Sequence, residues 1–365
     1  MSATSARIAA PRPGARRWQV RRLPAVDAKR RAIAYGISLV IWLVLVAAFL
    51  AIASFPVEQI AARALIVTLG TSYGLQQTLT LAAPLILTGA SVAVAMRIGI
   101  WNVGADGQFY FGALAAAGVG LFVPEGAPAW IMLIAMGVAS GAGGAGWILV
   151  PALGRAYAGI SEIITTLLLG FVASYIVYYL AAGPWRDPIV PTQAATARII
   201  YELPALDDGA HLGIVVALVV VALLGVFLKY SRWGYEIVVT GANRDAAAYA
   251  GIPIRRRIIE VMLISGLLAG LAGMIELTGV VHRLQGGISN QYGALGIPIA
   301  AVAGGSLIGV VFTAGFFAIL LNMGVSLQTQ GMSVHSVLAI TGLLLFIVAA
   351  AEAAARFSLR RVAAS

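Results

Sequence analysis

Residues 284–351 contain no aspartate, glutamate, lysine or arginine across 68 consecutive positions. About 20 apolar residues suffice to cross a bilayer as a helix, so this run alone has room for three crossings. The chain is 61% hydrophobic and only 10% charged, whereas soluble domains carry roughly 25% charged residues. These features predict a polytopic membrane protein. Shorter uncharged runs occupy residues 32–55, 64–96, 126–154, 163–185 and 209–228.

The apolar runs lack the alternation of a barrel strand, and lipid offers an unpaired backbone no partner outside a helix or a closed barrel. The sequence therefore predicts an all-α fold with about ten transmembrane helices. We expect a short external or half-inserted helix at 58–74, and residues 284–351 could instead hold one crossing and a re-entrant hairpin. The expected crossings are 33–54, 76–96, 104–123, 129–150, 162–182, 211–228, 258–281, 292–304, 306–325 and 333–351.

The 24 lysines and arginines are distributed unevenly along this path. With the N-terminus in the cytoplasm, 20 of them lie inside and 4 outside. This bias is typical of the positive-inside pattern, so we interpret the net charge of +10 as a topology signal and not as a nucleic-acid site. Both termini are then cytoplasmic. The predicted division is a basic tail (1–31), one transmembrane domain (32–352) and a C-terminal tail (353–365), with an external loop at 183–210 and an internal loop at 229–257.

Several kinds of catalytic site have no signature in this sequence. The only two lysines, Lys29 and Lys229, do not follow a Gly-xxxx-Gly pattern, so the chain has no P-loop for ATP. It contains no His-Glu-xx-His pair, no Gly-x-Ser-x-Gly turn and no cysteine. The sequence therefore predicts neither an enzyme nor a metal or cofactor site.

The stretch NVGADGQFYFG (102–112) places polar groups where a membrane helix should begin. Glycines can break a helix, and Asp106 would lie near the positive end of the helix that follows, where it can accept hydrogen bonds from free N–H groups. Two interpretations stay open: a capped helix start at the cytoplasmic surface, or a polar bend that lines a translocation path. In the second, the amides would face a hydroxylated substrate. The candidate path residues are Asn102, Gly104, Asp106, Gly107 and Gln108.

The stretch GANRDAAAYAGIP (241–253) in the internal loop predicts a short capped helix. Asn243 suits the N-cap, Asp245 the first turn and Gly251 the left-handed position after the helix. A helix of about two turns is too short to be stable alone in water. It must pack either against this protein's own helices or into a groove of a cytoplasmic partner. The candidate contact residues are Gly241, Asn243, Asp245, Ala247, Ala248, Tyr249 and Gly251.

With these motifs the sequence resembles the permease subunits of bacterial ATP-binding-cassette (ABC) importers for nucleosides and simple sugars, which are related to the ribose and branched-chain amino acid permeases. Asp106 stands where that family usually has glutamate, and Gly-Gly-Ser at 304–306 replaces a more usual turn. The resemblance covers about residues 76–351 and is carried by the stretches 87–117, 159–188, 232–257 and 265–306.

The resemblance implies a permease fold like that of type II importers, in the inner membrane of a bacterium. It implies a second permease subunit, non-identical or identical, and a separate ATPase that binds ATP and Mg²⁺. It also implies an extracytoplasmic substrate-binding protein, with residues 243–251 as the coupling helix to the ATPase. From the residues alone, an ion-coupled secondary transporter or channel that uses Asp106 or Glu276 stays the alternative.

Overall fold

A computed structural model describes residues 16–22, 28–53, 55–124, 126–190, 192–206 and 209–363. The elements in chain order are β1 (Arg16–Arg22), α1 (Ala28–Ile52), α2 (Val57–Leu69), α3 (Ser72–Arg97), α4 (Ala105–Phe122), α5 (Ala129–Ala158), α6 (Glu162–Ala182), α7 (Gly213–Tyr230), α8 (Arg232–Ala242), α9 (Arg244–Tyr249), α10 (Ile254–Glu276) with a π-helical turn (Leu277–Val281), α11 (Tyr292–Val302), α12 (Leu307–Thr329), α13 (Val334–Arg356) and β2 (Phe357–Ala363).

Eight described helices are long and apolar enough to cross a membrane: α1, α3, α5, α6, α7, α10 with its π turn, α12 and α13. The predicted count of ten crossings is not confirmed. The predicted crossing 104–123 is α4, whose first turn is polar. The predicted crossing 292–304 is α11, which has 11 residues and spans about 16 Å of a hydrocarbon core about 30 Å thick. The short helix expected at 58–74 is α2.

Within the unit Pro56–Thr341, α3 and α10 are the most buried of the long helices. Their most apolar windows are 78% and 67% buried, against 28% or less for α5, α6, α7 and α12. A helix that is apolar on all sides belongs either in a core or against lipid. α3 and α10 therefore form the centre of this unit, and side chains that they carry are the ones best shielded from lipid.

Glycines within the small-residue stretches 136–146 and 265–273 bring α5 and α10 into backbone contact. A Cβ on Gly144 would lie 2.2 Å from the carbonyl oxygen of Gly266, and a Cβ on Gly270 would lie 2.3 Å from that of Ser140. Both distances are far below van der Waals contact, so only glycine fits. Such contacts replace the hydrophobic effect as the packing force between helices in lipid.

The second unit comprises Met1–Phe55 and Gly342–Ser365. Here β1 and β2 pair antiparallel, with Arg16 opposite Ala363. The Tyr35 hydroxyl donates to Glu352 Oε2 at 2.6 Å, which joins α1 to α13. The predicted all-α fold therefore includes one short ribbon in its described part, formed by segments assigned to the two tails.

Candidate translocation and coupling sites

A pair of amide side chains holds the bend between α3 and α4. The chain turns through Gly99, whose φ of +74° favours glycine. Asn102 Nδ2 donates to Gln108 Oε1 at 2.8 Å, and Gln108 Nε2 donates back to Asn102 Oδ1 at 2.9 Å. Both side chains are buried. The two amides thus form a reciprocal pair, which fixes the bend in one geometry.

Two serines link this amide pair to the central helices. Asn102 Nδ2 also donates to Ser265 Oγ of α10 at 2.8 Å, and Ser265 Oγ donates to the Ser91 carbonyl of α3 at 2.7 Å. The four side chains are buried, and buried polar groups destabilise a fold unless they are paired. The network therefore ties the bend and α4 to α3 and α10.

Asp106 caps a helix, but not its own. α4 begins after Gly104 without a side-chain cap. The Asp106 Oδ1 accepts hydrogen bonds from the Gly293 backbone N–H at 3.2 Å and from the Ser289 hydroxyl. Gly293 lies in the first turn of α11, where N–H groups have no partner within the helix. The prediction that Asp106 caps α4 is wrong: the carboxylate joins α4 to the start of α11.

The two glycines of the bend allow α4 to approach α6. A Cβ on Gly104 would lie 2.3 Å from the Thr166 carbonyl oxygen, and a Cβ on Gly107 would lie 2.9 Å from the Gly170 Cα. Both glycines are buried. They contribute backbone packing, and their positions leave no room for a substrate beside them.

A cavity of about 680 Å³ lies between α4, α6 and the segment that follows the π turn. None of its described lining residues is charged. Tyr175 and Tyr178 are 72% and 53% exposed, so the cavity is open beside α6. The lining residues are Tyr110, Ser174, Tyr175, Tyr178, Ala194, Gln285, Gly286 and Gly287.

None of the predicted path residues Asn102, Gly104, Asp106, Gly107 and Gln108 lines this cavity. Asp106 is close to two of the lining residues in the sequence and the fold. Tyr110 is one turn further along α4, and Ser289, which donates to Asp106, follows Gly287 by two residues. Sequence reasoning missed the tyrosines. The signal available for them was a cluster of three tyrosines, at 175, 178 and 179, in the second half of the predicted crossing 162–182.

The wall segment 282–291 has irregular backbone that the external loop holds in place. His282, Asn290 and Gln291 adopt left-handed φ angles of +56°, +43° and +63°, which non-glycine residues seldom do. The Ile199 N–H donates to the His282 carbonyl at 2.8 Å, and the Thr196 N–H donates to the Leu284 carbonyl at 3.0 Å. Irregular backbone at membrane depth is tolerated where protein satisfies it or where it lines a cavity.

Glu276, the other carboxylate of the ion-coupled alternative, is buried at the end of α10. In the described ranges no lysine, arginine or histidine forms an ion pair with it. It does not line the cavity beside α6.

The predicted helix of the internal loop forms with the predicted caps. The Asn243 Oδ1 accepts from the backbone N–H groups of Asp245 and Ala246 at 2.9 and 3.0 Å, and Gly251 has a φ of +73°. α9 occupies six residues, Arg244–Tyr249, between these caps. Both caps satisfy backbone groups that so short a helix cannot pair internally.

α9 has one face toward this protein and one face toward solvent. Ala247 is buried within the chain, whereas Ala248 is exposed and Tyr249 is 95% exposed. Ala247 therefore packs against this protein's own helices, and the exposed residues are available to a partner. Tyrosine is enriched among the residues that contribute most to protein–protein binding, and the Tyr249 side chain is accessible to a partner.

An ion-pair network joins α8 to the start of α10 on either side of α9. Arg257 Nε donates to Glu236 Oε2 at 2.6 Å, Arg232 Nε donates to Glu236 Oε1 at 2.8 Å, and Arg257 also donates to Glu260. The hydrogen bonds from Arg257 and Arg232 hold the pKa of Glu236 below its ordinary value of 4.5. The network is therefore fully charged at neutral pH and weakens only as the pH falls through that lowered pKa.

The end of α8 touches the end of α3. A Cβ on Gly241 would lie 2.0 Å from the Arg97 carbonyl oxygen, so the two backbones are in contact. α9 is thus connected through α8 to α3, and through the ion pairs to α10. These are the two helices that carry Ser91 and Ser265.

The sequence is similar to a known protein family and to several permeases. A family model described as the permease component of branched-chain amino acid transport systems matches residues 74–349. A glucose ABC transporter permease protein of Haloferax volcanii is 34% identical over 274 residues, which is 72% of each chain. A nucleoside ABC transporter permease protein of Lactococcus lactis is 28% identical over 77% of this chain and 80% of its own length.

A guanosine ABC transporter permease protein of Bacillus subtilis is 32% identical over 67% of this chain and 72% of its own length. None of these relatives favours an ion-coupled carrier. The chain belongs to the branched-chain amino acid transport system permease family, and it is a multi-pass permease subunit of an ABC transporter.

Proposed function

We propose that this chain forms the translocation path of an importer for nucleosides or simple sugars in the bacterial cytoplasmic membrane. A second permease subunit, identical or a paralogue, would complete the path, and an extracytoplasmic binding protein would deliver the substrate. A separate ATPase would bind ATP and Mg²⁺, because this sequence contains no P-loop.

The chemistry of the cavity beside α6 supports this substrate class. Three tyrosines, a serine and a glutamine line it, and none of its described lining residues is charged. Tyrosine rings offer flat faces for stacking, and the hydroxyl and amide groups offer donors and acceptors for sugar hydroxyls. An amino acid carries an ammonium and a carboxylate, which would require charged partners in a membrane. The cavity suits a neutral ring with hydroxyl groups.

The relatives support the same substrate class. Their names refer to glucose, nucleosides and guanosine. All three are neutral, hydroxylated ring compounds. Which of them this importer carries would be decided mainly by its binding protein.

The residues of the bend at 102–108 would hold the wall of the cavity in position. Asp106 connects α4 to Ser289 and Gly293, and the wall residues Gln285–Gly287 precede them in the same segment. The amide pair holds the start of α4 against α3 and α10. We assign these residues to positioning of the cavity wall and not to contact with the substrate.

α9 would be the element that receives ATPase motion. Its exposed residues Ala248 and Tyr249 would occupy a groove on the ATPase, and its contacts through α8 and the Glu236 ion pairs would carry that motion into α3 and α10. Rigid transfer between packed helices is an established mode of switching. The remaining candidate residues, Gly241, Asn243, Asp245, Ala247 and Gly251, would shape the helix and seat it on this chain.

Removal of one cavity ring tests the proposed substrate site. We expect Tyr178→Ala to lower the uptake rate about tenfold, since stacking on one aromatic side chain contributes ~1–3 kcal/mol, while Tyr178→Phe keeps most of the uptake. Tyr179→Ala is the matched control, because Tyr179 is also exposed on α6 but lies outside the cavity lining. The measurement is uptake of radiolabelled substrate at equal membrane levels of each variant.

Equal loss in Tyr178→Ala and Tyr179→Ala would show that the cavity is not the path. The substrate itself can be identified by thermal-shift screening of the binding protein encoded beside this gene. Stabilisation by amino acids alone would overturn the proposed substrate class.

A further inference from the structure

A second cavity, of about 780 Å³, runs along α7 and opens beside the first turns of α12. Leu218, Ala222, Gly225 and Val226 of α7 line one of its walls. They lie on one stripe of the helix, since residues three and four apart share a face. Leu218 and Lys229, at the two ends of the lined stretch, are 11 positions apart, which corresponds to about 16 Å of helix. This is the thickness of one leaflet of hydrocarbon, half of about 30 Å.

The groove carries positive charge at one end only. Arg97 and Lys229 line that end together with Tyr230 and Ser306, and none of the described residues that line the groove is acidic. Within the described ranges no carboxylate forms an ion pair with Arg97 or Lys229. The Arg97 Nε is buried without a hydrogen-bond partner, although unpaired buried donors are costly.

The start of α12 contributes both a polar and an apolar feature to the groove. Ser306 is the N-cap of α12, a helix of 23 residues, and backbone N–H groups at such a terminus favour an anion. The opposite wall presents the apolar side chains Ile308 and Phe312, each 74% exposed. The arrangement combines an anion site with an apolar channel one leaflet long.

We infer that this groove binds an anionic phospholipid of the leaflet on the Lys229 side, which the charge distribution assigns to the cytoplasm. The phosphate lies between Arg97 and Lys229 at the start of α12, and one acyl chain follows the α7 stripe. Basic pockets between membrane helices suit lipid headgroups. A neutral sugar or nucleoside would leave both cations unpaired, and free phosphate would leave the apolar wall uncovered.

Native mass spectrometry of the complete importer, purified in detergent and mixed with phosphatidylglycerol or phosphatidylcholine, tests this site. We expect phosphatidylglycerol to be retained in preference to phosphatidylcholine. Arg97→Gln and Lys229→Gln should each lower that preference about fivefold, since one surface cation contributes about 1 kcal/mol to binding of an anionic lipid. Arg255→Gln removes a charge from the exposed start of α10, outside the groove, and should leave the preference unchanged.

A further variant tests the acyl-chain contact separately from the headgroup contact. Ala222→Phe retains both cations and fills the groove from the lipid-facing side of α7, so it should also reduce retention of phosphatidylglycerol. The proposal is wrong if both lipids are retained equally by the unmodified importer, if Arg255→Gln acts like Lys229→Gln, or if Ala222→Phe has no effect. A thermal-unfolding assay of the same importer separates a lipid from a free anion. If inorganic phosphate raises the unfolding temperature as much as phosphatidylglycerol does, the groove is an anion site without a lipid, and the proposal is wrong.

Discussion

Replacement of Asp106 by leucine is expected to reduce uptake to less than about a tenth of the unmodified level. The side chain of Asp106 accepts hydrogen bonds from the Gly293 N–H and the Ser289 hydroxyl. Leucine accepts neither, and a buried donor left unpaired costs ~1–3 kcal/mol. Because both donors belong to the segment that forms the cavity wall, the loss should displace the wall even where the protein still inserts. Uptake at equal membrane levels is the measurement.

Asp106→Asn is the matched control for this experiment. Both hydrogen bonds reach the same oxygen, Oδ1, and asparagine has an oxygen at that position. We therefore expect it to cost about 1 kcal/mol or less and to keep most of the uptake. A carrier that couples transport to protonation of Asp106 would lose coupled uptake completely in Asp106→Asn, since an amide cannot titrate. That result, with intact folding, would contradict the structural role.

Ala248→Arg is expected to abolish ATP-driven uptake while the chain still inserts and folds. Ala248 is exposed on α9 beside Tyr249, so an arginine there is tolerated by this chain but adds bulk and charge to a closely packed contact with an ATPase. Tyr249→Ala should act in the same direction, because tyrosine is enriched among the few interface residues whose truncation costs about 2 kcal/mol or more. Co-purification of the ATPase and uptake are the two measurements.

Two controls define the contact on α9. Ala248→Ser keeps the small volume and should leave both measurements near normal. Ala247→Arg should instead reduce the folded amount of this chain, because Ala247 is buried within it. Normal ATPase recovery and uptake in both Ala248→Arg and Tyr249→Ala would show that α9 does not contact the ATPase.

Features set by near neighbours in the sequence could be predicted. The caps of α9 at Asn243 and Gly251 depend on residues within one turn, and both form as predicted. The glycine stretches of α5 and α10 pack closely for a similar reason, since small side chains at helical spacing leave a groove whatever the partner. The long apolar helices follow from hydropathy alone.

Features set by distant residues could not be predicted. Asp106 caps a helix that begins 186 residues later in the sequence, and Asn102 reaches a serine 163 residues away. A polar stretch in an apolar chain indicates that some partner exists, but not which. For the same reason one of the two interpretations of the sequence had the amides face a substrate, whereas the fold pairs them with each other. The tyrosine cavity depends on the position of the segment 285–287 next to α6, which no local pattern specifies.

Reconstitution in liposomes tests the central claim most directly. The chain is purified with its neighbouring permease subunit, ATPase and binding protein, and uptake of radiolabelled nucleoside or sugar is measured with ATP, without ATP, and with an imposed ion gradient. We predict uptake only when the ATPase and ATP are both present. Uptake driven by an ion gradient with this chain alone, and no ATPase, would contradict the account.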